Sequence, residues 1–477
     1  MVKQIRSRWP DTRSPGSIPK LRAALGGRVI SPGDPSYDEA RKVFSGKIDR
    51  RPALIVRATD ATDVSQAVSL ARESGLELAV RSGGHGAAGH GTTEGGILLD
   101  LSGMKRLQID VDRRTAWAQT GLTAGEYAAA AGAHGLATGF GDTGSVGIGG
   151  ITLGGGVGYL VRKHGLTIDD LISADVVTAD GRLLRVDAER HPDLFWAIRG
   201  GGGNFGVATR FLFRLHEVDT IVGGKLILPA TPDVVRSFVA EAEAAPEELS
   251  TIANVMTAPP FLSPEMYGRP VMIATLVHAG GADEGERAVA PFRALAEPIA
   301  DMVGPIRYPE LYPPDEGNHQ VASARTMFVD AIERDAAEAI VDHLRSSTAQ
   351  TAAAQIRVLG GAMARVPADA TVFAHRKRRI MVNVAVMYGR PDEAAAREEW
   401  VTGFASALTR GDAGAYVGFL GDEGEARVRE AYPGATWERL TAIKGRYDPT
   451  NLFRLNQNIP PRPCKRTQTM AGETPSM

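Results

Sequence analysis

Residues 139–158 read GFGDTGSVGIGGITLGGGVG, a run in which long side chains are nearly absent. Such a segment can pack little core of its own, so its backbone is placed to approach something else closely. Two shorter runs of the same character flank it, RSGGHG at 81–86 and GGGGNFG at 200–206. Loops of this kind expose backbone N–H groups that can cradle a pyrophosphate, while each one alone reads more readily as tight turns and close packing. Three of them in one stretch of chain shift the reading toward a bound dinucleotide. Residues 201–206 also satisfy the GxGxxG pattern, but a helix-like DLFWAI precedes them and a strand-like ATRFLFRL follows. A nicotinamide-binding turn needs the opposite order, so that reading is set aside.

Upstream of these loops, ALIVRAT at 53–59 reads as a strand, and Asp60 or Thr62 can cap the helix after it. Val64, Ala67, Val68 and Ala71 then fall on one buried helical face, Gly75 is placed to end the helix, and ELAV forms the strand that enters RSGGHG. ILLDL and TAWAQT are further strands, and Thr123 with Glu126 makes a capping box for the next helix. Downstream, ADVVTADGRLLRV predicts a hairpin whose Asp180-Gly181 pair suits a two-residue turn. From 220 to 415 amphipathic helices alternate with strands such as GKLILP, VMIATLV, ARTMFVD and IMVNVAVMY, the texture of a second α+β layer covering a site. The ending YDPTNLFRLNQNI is turn-rich and is expected to return to the first domain.

Bulk properties limit the function classes. With 477 residues, 43% hydrophobic and 23% charged, the chain is ordinary globular protein with room for more than one core. Its 54 basic and 56 acidic residues nearly cancel, so nothing resembles a stripe for nucleic acid. No window is apolar enough for a membrane span, and the basic residues near the start have no apolar stretch behind them, so neither a signal peptide nor an anchor is expected. The one cysteine, Cys464, excludes disulfides within the chain and cysteine-ligated metal, and a cytoplasmic setting is expected. No metal site is expected either.

His85 is the candidate nucleophile. Its flanking glycines leave the imidazole reachable, and Arg81 could stabilise anionic character nearby; the alternative is a loop histidine bonded to backbone. Taken together, RSGGH, GSVGIGG, GGGVGYLVRKHGLTIDDL, GGGGNFGV and FRLNQNI occur in an order that resembles the vanillyl-alcohol oxidase and p-cresol methylhydroxylase superfamily, most closely its berberine bridge enzyme-like branch. The resemblance runs from about 52 to 215 and resumes at the C-terminus.

It implies an α+β fold: a two-subdomain PCMH-type FAD-binding domain with an α+β substrate domain, an antiparallel sheet covered by helices. The expected boundaries are a lead-in at 1–47, the FAD-binding domain at 48–219, the substrate domain at 220–415, a berberine bridge-like segment at 416–463 that returns to the FAD domain, and a flexible tail at 464–477. Cofactor contacts are implied for Arg81, Ser82, Gly83, Gly84, His85 and Gly86; for Thr143, Gly144, Ser145, Gly147, Gly149, Gly150, Gly154, Gly155, Gly158 and Tyr159; and for Gly206, Val207 and Asn456.

In that family the histidine of the SGGH loop bonds to the 8α carbon of the flavin, which here is His85. A second bond often comes from a cysteine three positions before the VGxGG segment; that position is Thr143, so a single linkage is expected, as in enzymes similar to 6-hydroxy-D-nicotine oxidase. Val146 occupies a position where a small residue is associated with oxygen access, which favours an oxidase giving hydrogen peroxide over a dehydrogenase; ordinary strand packing is the alternative. Plant-type members carry a tyrosine and a histidine where this chain has Ala87 and Ile151, so their base mechanism is not carried over.

Hydride leaves most easily from a carbon bearing nitrogen or oxygen. An alcohol needs a base, and a site with no dedicated carboxylate or tyrosine suits a neutral amine or N-heterocycle better. Asn383 interrupts the apolar strand IMVNVAVMY, where Met381, Asn383 and Ala385 would share one face; Asn456 and Asn458 alternate in the tail and can donate to flavin or substrate. Each has a plain structural alternative as a satisfied amide. His319, Arg325 and Tyr388 stay open, and His375 before RKRR reads as structural or solvated. Two rivals remain: an oligosaccharide or alcohol oxidase on the same fold, for which Trp400 and Trp437 are the few tryptophans of the second half, and a flavin-holding protein without turnover.

Overall fold

The computed structural model describes residues 17–313, 321–349, 351–409, 411 and 414–462; His319, Cys464 and the polar tail lie outside the described residues. Its first sheet grows from the βαβ-like unit. Asp60 caps the helix Ala61–Ser74 by accepting from the N–H groups of Thr62 and Asp63, and Gly75 ends it at φ 68, where a side chain would be strained. The strands on either side of this helix, Leu54–Arg57 and Leu78–Arg81, are not neighbours. Ile97–Asp100 lies between them, parallel to both, and the short strand Val29–Ile30 pairs antiparallel at the edge.

The second sheet is antiparallel, in the order Leu107–Asp110, Thr115–Gln119, Val207–Arg214, Leu171–Val177, Leu183–Asp187. Thr123 and Glu126 form the reciprocal capping box that starts Ala124–Gly132. The hairpin at 178–182 forms, but its loop is longer than the two-residue turn expected. Thr178 N–H donates to Arg182 O and Gly181 N–H to Thr178 O, leaving three residues in the loop with Gly181 at φ 84. Glycine is needed at the third position, where the left-handed conformation returns the chain to the strand twist.

The third sheet has eight antiparallel strands, among which Leu249–Thr257, Thr351–Val358, Ile380–Tyr388 and Val321–Val329 are consecutive neighbours. Alternation divides it into two unlike faces. Val382, Val384 and Val386 point into a core shared with the helices Pro232–Ala244, Arg334–Ser346 and Ala394–Leu408. On the other face Asn254, Gln355, Asn383 and Thr326 stand side by side across four strands. Met381 and Ala385 share this face with Asn383, as strand alternation requires.

Two buried contacts lock this sheet against the glycine-rich half. Arg376 holds both carboxylate oxygens of Asp169 at 2.7 Å, and Arg162 donates to the carbonyls of Ala242 and Ala245. The C-terminal helices Glu425–Ala431 and Ala435–Tyr447 bury Val428, Ala431, Trp437 and Leu440 in the same core as the second sheet. Among the described residues no helix is long and apolar enough to cross a membrane.

Candidate active site

The three glycine loops, the polar face of the third sheet and the C-terminal segment enclose a cavity of about 450 Å³. The glycines divide into two kinds. A Cβ on Gly83 would lie 2.3 Å from the Gly147 nitrogen, and one on Gly147 would lie 2.1 Å from Ser82 Oγ, so here glycine lets two loops touch backbone to backbone. Gly86 and Gly150 differ: both line the cavity, and a Cβ on either would meet no protein atom within 4 Å. The two readings of glycine-rich sequence, close packing and an open cradle, are thus both realised, at different residues.

Of the residues singled out from sequence, Arg81, Ser82, Gly83, Gly84, His85, Gly86, Thr143, Val146, Gly147, Gly149, Gly150, Gly154, Gly206, Val207, Asn383 and Asn456 are brought together around the cavity. The His85 ring stacks on Phe44 with centroids 4.1 Å apart, so the lead-in segment sets the plane of the imidazole. Arg81 borders the cavity, but its guanidinium is committed to Asp100 and to the carbonyls of Ala40 and Lys42; it braces the loop from beneath. Val146 is not in a strand, which removes the strand-packing alternative. It occupies the turn before the helix Ile148–Gly154, with its N–H on Thr143 O and its carbonyl accepting from Ala124.

Gly144, Ser145, Gly155, Gly158, Tyr159 and Asn458 do not line the cavity. Gly144 packs on Tyr312 and Pro313, Gly155 on the Tyr416 ring, and Gly158 on the Gly141 backbone. The Tyr159 hydroxyl donates to the Asp142 carbonyl while its ring meets Tyr312. Asn458 is not in a strand, so alternation does not bring it to the side of Asn456, and its Oδ1 and Ser145 Oγ are buried without a partner among the described residues. Asn456 donates to the Phe453 carbonyl at 3.3 Å. Arg325 is bound to Glu398 and Glu423, Tyr388 is buried beside Ser323, and His375 is bonded to the Glu430 carbonyl, so none of these three faces the cavity. Trp400 and Trp437 are likewise packed elsewhere.

Other lining residues escaped the sequence reading: Asp142, His90, Tyr416, Phe419 and Gln457. Asp142 carried a signal, as the sole acid within 139–158. Its presence corrects the expectation that the site lacks a carboxylate, and Tyr416 likewise supplies a phenol. That phenol accepts the Gly156 N–H at 2.9 Å, and burial pushes its pKa up, which keeps it a neutral phenol and leaves no phenolate to act as a base. Burial holds the His90 imidazole below its usual range, opposed by Asp422. On the sheet side, Asn383 lines the cavity, and its Oδ1 is buried with no hydrogen-bond partner among the described residues.

Comparison with known proteins gives the same assignment from both ends of the chain. The FAD binding domain family matches residues 52–187, and the berberine and berberine-like family matches 415–460. (R)-6-hydroxynicotine oxidase of Paenarthrobacter nicotinovorans is 30% identical over 460 residues, covering 92% of this chain and 97% of its own. The chain belongs to the berberine bridge enzyme-like branch of the vanillyl-alcohol oxidase and p-cresol methylhydroxylase flavoproteins. It is an FAD-dependent oxidoreductase. Within this family, xylooligosaccharide oxidase of Thermothelomyces thermophilus is 27% identical over 455 residues, covering 88% of this chain and 89% of its own. The crystal structure of 6-hydroxy-D-nicotine oxidase from Arthrobacter nicotinovorans superposes with a TM-score of 0.83 at 28% identity, covering 92% of this chain and 98% of that one. The residues present fit a flavin dinucleotide: open backbone at Gly86 and Gly150, a reachable imidazole at His85, and an unsatisfied acceptor at Asn383.

Proposed function

We propose that this flavoprotein is an oxidase that holds FAD through one covalent bond from His85, oxidises a small amine or N-heterocycle, and passes the electrons to oxygen to give hydrogen peroxide. The observation that carries the reading is the position of His85, on a cavity-lining loop, next to Gly86, whose backbone is open. A single linkage follows from Thr143, which has no sulfur, and from Cys464 being the one cysteine of the chain. When bound, the flavin supplies a two-electron acceptor for a C–H bond next to nitrogen or oxygen.

The chain's own residues then bind, orient and exclude water. Asn383 Oδ1 accepts a hydrogen bond from the bound molecules, satisfying an oxygen that is otherwise buried alone. Ile151, Leu153 and Phe419 form an apolar wall that limits water at the reacting carbon. Val146 keeps its stretch of wall small, consistent with oxygen access. The preference for an amine or N-heterocycle rests on similarity to (R)-6-hydroxynicotine oxidase along almost the whole chain.

The test is acid precipitation of purified protein followed by mass analysis of the peptide spanning 81–106. Yellow colour in the pellet and an FAD mass on the peptide with His85 are expected, and His85→Ala should release the flavin. Colourless protein after reconstitution would overturn the reading. Oxygen uptake with peroxide formation supports oxidase activity, whereas reduced flavin stable in air for hours would make the enzyme a dehydrogenase. A second reading, oxidation of a sugar hemiacetal, is favoured by the similarity to xylooligosaccharide oxidase and by Tyr416, Phe419 and Tyr432 at the cavity. Turnover of xylobiose in preference to cyclic amines would select it.

A further inference from the structure

Arg357 and Arg376 both reach from the third-sheet half to an aspartate of the glycine-rich half, and the two pairs are built differently. The Arg376 side chain is 0% exposed and grips both oxygens of Asp169, which also accepts the Leu166 N–H at 2.8 Å. That pair is a closed strut. Arg357, 3% exposed, places Nη2–H on a single oxygen of Asp142, Oδ2 at 2.5 Å. Its other N–H groups go to Gln355 Oε1 and to the Val157 carbonyl. The second oxygen of Asp142 accepts from the Thr143 hydroxyl at 3.2 Å.

The Asp142 side chain nevertheless remains 24% exposed, and it lines the cavity. A carboxylate offers about four acceptor positions, so two bonds leave capacity on the open side. Gln355, which Arg357 also holds, stands directly opposite Asn383 on the neighbouring strand. Asp142 and Asn383 therefore belong to one polar seam where the two halves of the molecule meet over the cavity. A strut needs no such opening, whereas a rigid acceptor with lone pairs turned toward a cavity is suited to a ligand donor.

We propose that Asp142 is a substrate-orienting residue: its carboxylate, fixed by Arg357 and Thr143, accepts a hydrogen bond from an N–H or O–H beside the carbon that is oxidised. This rests on the reading of the cavity as a site of small-molecule oxidation. Substrates that carry such a donor are selected over analogues in which it is methylated, even where the charge is the same.

The test uses the purified yellow holoenzyme under anaerobic conditions, with dissociation constants read from perturbation of the flavin absorption. N-methylbenzylamine is compared with benzyltrimethylammonium, which keeps the positive charge and loses the N–H, and benzyl alcohol with benzyl methyl ether. The wild type should prefer the donor of each pair by about tenfold to a hundredfold, the ordinary strength of a hydrogen bond to a charged acceptor. In Asp142→Leu the preference should fall to within about twofold, and in Asp142→Asn, which keeps the shape and a carbonyl acceptor, to an intermediate value. Should the leucine variant lose flavin or fold poorly, the asparagine variant decides. A preference unchanged in the variants, no preference in the wild type, or no binding of the donor probes overturns the inference. Protein without any flavin overturns the oxidase reading as well, whereas yellow enzyme indifferent to Asp142 overturns this inference alone.

Discussion

Replacing Gly150 with alanine tests whether the open side of the glycine loops is where the flavin lies. Gly150 sits inside the helix Ile148–Gly154, and an added Cβ meets no protein atom within 4 Å. Alanine is better than glycine in a helix interior by about 0.8–1 kcal/mol, so the protein without flavin should be equally or slightly more stable. The same methyl enters the cavity, where overfilling a close contact costs about 1–3 kcal/mol, a loss of about fivefold to 150-fold in affinity. The measurement is FAD titration by fluorescence quenching in a His85→Ala background, where the flavin exchanges, alongside thermal unfolding of the flavin-free protein. Gly83→Ala is the opposite control. Its Cβ lies 2.3 Å from the Gly147 nitrogen, so unfolding should move down by at least about 1–3 °C whether or not flavin is present. If Gly150→Ala bound FAD within about twofold of its parent, the cofactor would not lie against this helix and the reasoning would fail.

Arg376→Met should destabilise the protein by about 3–5 kcal/mol in denaturant unfolding, because Asp169 is left buried without its cation; a loss below about 1 kcal/mol would contradict the strut assignment. Asn204→Ala removes two donated bonds, to Gly201 O and Gln457 O, and one accepted from Ile459 N–H. A loss of about 2–4 kcal/mol is expected, with protease reaching the C-terminal segment earlier than in the parent. Burial, with His216 and Lys163 adding to it, lowers the His164 pKa from 6.5 to about 3. Because the unfolded chain takes up this proton first, stability is full above about pH 6.5 and declines as pH falls from there toward 3, by at most about 1.4 kcal/mol per unit and less for the part that solvent reaches. His164→Gln should flatten that limb of a melting series; an unchanged limb would assign the decline to carboxylates.

The elements that could be read in advance are those with local causes. Asp60, Thr123 and Gly75 act on the backbone of the turns they occupy, and alternation around Asn383 puts Met381 and Ala385 on its face without help from distant residues. The loops around His85 and Gly150 were legible because glycine is conspicuous and because their order along the chain is distinctive. The hairpin at 178–182 was legible as a hairpin, while its loop length depended on how Thr178 and Arg182 pair. Tyr159 and Asn458 lie off the cavity, because a motif says which residues are near a site and not which way each one points.

Sequence alone determined the α+β texture and the three glycine loops, since these follow from side-chain absence, helix caps and alternation acting over a few residues, while the flavin and the candidate nucleophile came from the resemblance that the ordered motifs carry. Only the tertiary structure decided which glycines touch protein and which stay open, and that Ile97–Asp100 is inserted between the strands of the first unit. It also decided that Arg357 meets Asp142, 215 positions away in the chain. Such contacts depend on how two separately folded sheets close over one cavity, and no short-range pattern of residues encodes that distance.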